Sequence, residues 1–98
     1  AAATVLFRAL QAGVAAFEAR PAGGVEAVQR AISETVAAEP RAMLDYADVC
    51  DPESFEPLTE LRAPALLALA ARVGPARLID NVLLRPDGTW NFGERQPR

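Results

Sequence analysis

The chain has 98 residues, 51% of them hydrophobic and 23% charged, and a formal net charge of −3; that suffices for one modest core, not two domains, and creates no overall field that would gather a nucleic acid. All 10 basic residues are Arg and His is absent, which removes Ser-His and Cys-His nucleophile pairs, imidazole metal ligands, a phosphate-cradling lysine and Schiff-base chemistry. Arg8, Glu18 and Arg72 interrupt the most apolar stretches, so no run reaches the roughly 18 residues of a membrane span.

From Ala1 to about Arg20, Leu6, Phe7, Leu10, Gly13, Val14 and Phe17 recur at helical spacing, while Arg8, Gln11 and Glu18 fall elsewhere. Pro21-Ala22-Gly23-Gly24 ends this first predicted helix. A second carries Val25, Val28, Ile32 and Val36 on one stripe and stops at Glu39-Pro40. Two helices with so short a link are expected to lie antiparallel and share a partner surface. Met43 to Cys50 reads as a strand whose alternation is spoiled, because Asp45 and Asp48 fall on opposite faces. Asp51-Pro52-Glu53-Ser54 has the signature of a single capped helical turn. Pro64 to Val73 is ambiguous: Leu66, Leu69, Ala70 and Val73 match a helical stripe, and the alternative is a strand that turns at Gly74-Pro75 and returns as Arg77 to Leu84. From Pro86 to Arg98 the composition is that of a polar, turn-rich tail, expected to fray beyond Trp90 and Phe92.

Few residues offer chemistry. Asp80-Asn81, set between Ile79 and Val82, is the most conspicuous polar pair, and a structural role toward nearby backbone groups is favoured over a ligand. Asp45, Asp48 and Asp51 are spaced like an acidic cluster but lack the glycine and bidentate Glu of a calcium loop, so a solvated edge with one cap is preferred. Tyr46 reads as a strand aromatic with its hydroxyl at the rim. Arg72 and Arg77 bracket the Gly74-Pro75 turn; they could bind an anion together, and surface pairing with carboxylates is the plainer expectation. Cys50 has no cationic neighbour in sequence to activate it, and one unpaired thiol fits a reducing cytosol. The opening Ala1-Ala2-Ala3-Thr4, with neither Met nor a basic leader segment, reads as a piece cut from a longer, unsecreted protein.

The stretch Leu44-Asp45-Tyr46-Ala47-Asp48-Val49-Cys50-Asp51-Pro52-Glu53-Ser54-Phe55-Glu56-Pro57-Leu58, followed by Pro64 to Gly74 and Arg77-Leu78-Ile79-Asp80-Asn81-Val82, resembles the C-terminal domain of the pantoate-beta-alanine ligase (pantothenate synthetase) family. The likeness extends over the helices from Ala1 to Ala38 and as far as Leu84; the tail after Arg85 matches nothing. It implies an α+β domain, with two helices on one face of a three-stranded antiparallel sheet near 43–50, 64–73 and 77–84, and so overrides the helical propensity of 64–73. The implied organisation is a domain over residues 1–85 and a polar tail over 86–98.

In that family the intact enzyme uses ATP and Mg2+ to make pantoyl adenylate, which the amine of beta-alanine then attacks. Its phosphate-handling motifs, a His-x-Gly-His and a Ser-Arg segment expected just upstream of Ala1, are not in this chain, so no catalytic, cofactor-binding or metal residue carries over to a position here. The resemblance implies a lid over the nucleotide site, inactive alone and binding no cofactor itself. Its implied partner is the N-terminal nucleotide-binding domain of a cytoplasmic, homodimeric enzyme, with no nucleic-acid or membrane partner. The alternative is a stand-alone interaction module that keeps the lid fold. A helical DNA-binding domain is disfavoured by the acidic charge.

Overall fold

Two apolar helical stripes and one apolar strand set determine the architecture of the computed structural model, which describes residues 4–92. The elements run α1 (Thr4–Ala19), α2 (Gly24–Ala37), β1 (Ala42–Cys50), β2 (Ala65–Val73), β3 (Ala76–Leu84) and β4 (Trp90–Phe92). On α1 the residues Leu6, Leu10, Val14 and Phe17 are buried, joined by Val5 and Ala9; on α2 the buried set is Val28, Ile32 and Val36. These are the stripes the spacing predicts, except that Phe7, at the edge of the α1 stripe, is exposed and Val25, in the first turn of α2, is only partly buried. Helix α1 ends at Arg20, which takes the left-handed conformation (φ 52) usual for glycine after a helix. The Arg20 guanidinium lies 5.1 Å over the Phe17 ring and donates to the Leu61 carbonyl at 3.0 Å, tying the helix end to the loop before β2.

The four strands form one antiparallel sheet in sequence order, β1-β2-β3-β4. Helix α1 lies over β2 and β3, and α2 over β1. The sheet is therefore covered on one face: Ala65, Leu67, Leu69, Ala71 and Val73 of β2 are buried, as are Val82 and Leu84 of β3. Residues 65–73 form a strand, as the family resemblance implies and helix propensity does not. Ala65, Leu67 and Leu69 are fully buried and flanked by paired strands on both sides. Burial of that kind contributes about 2 kcal/mol for each Leu, more than the few tenths per residue that propensity can oppose.

The α+β class stands, with the strand count corrected from three to four. The fourth strand lies inside the segment read as a polar tail. Asp87 accepts hydrogen bonds from the Thr89 N–H (2.9 Å) and hydroxyl (2.6 Å), and Gly88 takes φ 88, so Arg85 to Thr89 closes into a turn that aims β4 back along β3. Phe92 then stacks on Phe7 of α1, ring centroids 4.6 Å apart, with Trp90 edge-on to Phe92 at 5.5 Å. The sequence shows the turn residues, but a three-residue strand after them is too short to display a period. The expected fraying beyond Phe92 falls outside the described residues. No helix among them is long and apolar enough to cross a membrane.

Candidate functional site

With one face of the sheet sealed by helices, chemistry offered by the sheet must come from the other face, and a β-bulge in β1 decides what stands there. Leu44 pairs with Ala71 and Tyr46 with Ala70, leaving Asp45 as an extra residue. The inward set is thereby Ala42 and Leu44 before the bulge and Ala47 and Val49 after it. Asp45 and Asp48 consequently share the uncovered face, where unbroken alternation would separate them. Tyr46, partly buried and opposite Ala70, joins them.

Arg72 and Arg77 are direct cross-strand partners at the hairpin end of that face. Arg77 reaches across β2 to Asp45, its Nε donating to the carboxylate at 2.7 Å in a half-exposed ion pair. The surface pairing expected for these arginines thus holds for Arg77; Arg72 is exposed and has no hydrogen-bond or ion-pair partner among the described residues. Arg41, which the sequence reading passed over, belongs beside them. Its carbonyl accepts the Gly74 N–H at 3.1 Å, and its guanidinium lies 3.4 Å from where a Cβ on Gly74 would stand. A residue just before a strand gives no sequence signal of such proximity.

The remaining candidates are dispersed. Asp80 is buried on the helix-covered face, opposite Leu69, and accepts the Asn81 backbone N–H at 2.9 Å, which agrees with the structural role favoured for it. Asn81 points to the other face, opposite Ala68. Asp51 caps its turn by accepting the N–H groups of Glu53 (2.8 Å) and Ser54 (3.1 Å), and these bonds, that from Ser54 foremost, hold its carboxyl below the usual range. It does not converge with Asp45 and Asp48, and no group of three or more His, Cys, Asp or Glu among the described residues is placed to hold a metal ion. Burial, with the Asp48 charge adding to it, pushes the Cys50 thiol above its ordinary range, so it rests protonated and unreactive at neutral pH. A cleft between the end of α1 and the β3–β4 turn, lined by Phe17, Glu18, Arg20, Leu84, Arg85 and Pro86 among others, mixes charges of both signs, and Arg20 is already committed to Leu61 and Phe17.

The family profile described as pantoate-beta-alanine ligase matches residues 1–83. That span includes both helices, β1, β2 and all but the last residue of β3. The chain belongs to the pantoate-beta-alanine ligase family. Among proteins of the family, the bifunctional pantoate ligase/cytidylate kinase of Synechococcus elongatus is 45% identical over 83 residues, covering 85% of this chain and 16% of the relative. The pantothenate synthetase of Herpetosiphon aurantiacus is 42% identical over 85 residues, 86% of this chain and 30% of the relative. The crystal structure of pantothenate synthetase from Thermus thermophilus superposes with a TM-score of 0.69 at 38% identity, over 79% of this chain and 27% of that one. The chain therefore spans less than a third of the length of these ligases. Strand β4 lies beyond the residues that the family profile matches, but the bifunctional pantoate ligase/cytidylate kinase of Synechococcus sp. (strain JA-3-3Ab), 41% identical, aligns over 96% of this chain and 17% of its own length, so the segment after Arg85, read from the sequence as matching nothing, has a counterpart there.

Proposed function

We propose that this chain is the closing domain of a pantoate-beta-alanine ligase, a lid over the nucleotide site rather than the seat of the chemistry. The observation that carries the reading is a family match over residues 1–83 in which the described residues hold no group of three or more His, Cys, Asp or Glu placed for a metal ion. In the whole enzyme the pantoate carboxylate displaces pyrophosphate from ATP to form pantoyl adenylate, and the amine of beta-alanine then attacks the acyl carbon as AMP leaves. A mixed anhydride of this kind hydrolyses in water, so closing a domain over it protects the intermediate and strengthens the electrostatics that hold the phosphates. Mg2+ is assigned to the remainder of the enzyme, because the acidic side chains among the described residues do not converge as ligands for the metal.

Purified chain mixed with ATP, Mg2+, pantoate and beta-alanine is expected to release no AMP above background. Steady, enzyme-proportional AMP release from the 98-residue chain would overturn the assignment.

A further inference from the structure

We propose that Arg41, Arg72 and Arg77 form a binding site for a di- or triphosphate anion at the hairpin end of the uncovered sheet face. The choice of a nucleotide's phosphates as that anion rests on the lid reading; the site itself rests on geometry.

Arg72 and Arg77 are cross-strand partners beside the Gly74-Pro75 turn, the Arg41 guanidinium lies 3.4 Å from where a Cβ on Gly74 would stand, and among the described residues the carboxylate paired with these guanidinium groups is that of Asp45. The Asp45 contact is made through Arg77 Nε, which leaves the terminal nitrogens of that guanidinium as donors and fixes the direction in which they point. Asp45 is thus a positioning residue. Arg72, directly opposite Arg77, has neither a hydrogen bond nor an ion pair among the described residues. Like charges placed directly opposite in a sheet repel, and nothing in the packing requires them, since both side chains are exposed. A compact polyanion seated between them relieves that repulsion and accepts the planar, forked donors that arginine presents to phosphate oxygens. The chain as a whole carries a net charge of −3, so this concentration of positive charge is local and stands against the general sign of the molecule. Its position agrees with its proposed use: the helices seal the other face, so this is the face a lid would turn toward a nucleotide.

The test is titration of the isotope-labelled 98-residue chain with sodium pyrophosphate, followed by amide chemical shifts. Saturating shifts are expected around Arg41 to Met43 and Arg72 to Arg77 in the millimolar range, weaker with AMP or inorganic phosphate, and diminished by added salt. Arg72→Gln should weaken pyrophosphate binding by up to about fivefold, the upper end for one exposed charge pair, and Arg41→Gln with Arg72→Gln should abolish it. Arg30→Gln, on α2, should leave it unchanged. The wild-type pattern of shifts away from the hairpin in each variant serves as the folding control. The proposal is overturned by non-saturating shifts, by shifts spread over all the arginines, by unchanged binding in Arg72→Gln, or by binding of an acidic peptide in place of pyrophosphate. AMP release by the unaltered chain would sink the lid reading and leave this result untouched, so the two failures are distinguishable.

Discussion

Gly13 sits where α1 packs closely against both α2 and the sheet. A Cβ there would stand 2.9 Å from Ile32 Cγ1, 3.0 Å from Ile32 Cδ1 and 3.0 Å from Leu67 Cδ2, contacts that side chains do not accept without moving. Replacing Gly13 by Ala returns about 1 kcal/mol of helix propensity but overpacks three elements at once, for which the cost is about 1–3 kcal/mol. A net loss of about 1 kcal/mol is expected for Gly13→Ala in urea denaturation, and the loss should shrink when Ile32→Val removes one of the crowding carbons. A gain in stability from Gly13→Ala alone would mean that the three-way junction has slack. The same residue shows why a glycine within a helical stripe is read as part of the buried face: the spacing locates it, and only the packing explains the missing side chain.

Among the elements, β4 is the least secured. It has three residues, one paired neighbour, and a hold on α1 through the Phe7–Phe92 stack. Phe92→Ala should cost about 1–2 kcal/mol, combining a lost aromatic pair with partial burial. Hydrogen exchange should show Trp90 to Phe92 losing protection while β1, β2 and β3 keep theirs. Collapse of protection throughout the sheet would mean that β4 is integral to the core. The helices were legible in the sequence because a stripe of Val28, Ile32 and Val36 has one interpretation. Residues 65–73 were not, since Leu66, Leu69, Ala70 and Val73 fit a helix while Ala65, Leu67, Leu69, Ala71 and Val73 fit a strand, and only pairing partners distant in the chain choose between them. Strand β1 misled for another reason: the bulge resets its parity, so the two aspartates that appeared to face apart stand together. Of the proposed anion site, Arg72 and Arg77 could be read from the hairpin, whereas Arg41 depends on the register of a third strand.

At the scale of the whole fold, extents of 36 × 29 × 21 Å match one layer of helix on one layer of sheet, with no helix or strand on the other face among the described residues. The two faces of the sheet should therefore respond differently to truncation. Leu67→Ala, on the sealed face, is expected to cost about 2–5 kcal/mol; Ile79→Ala, on the uncovered face where Ile79 is 49% exposed, about 0.5–1 kcal/mol. Denaturant titration of the two variants checks this, and comparable losses would show that a second copy covers the face in solution. The bulge at Asp45 also sets a rule for how this strand tolerates a change in length. Excising that residue would straighten the backbone and leave every remaining side chain on its present face, because Leu44 and Tyr46 already pair with the adjacent Ala71 and Ala70, whereas a deletion elsewhere in β1 would turn one side of the cut to the opposite face.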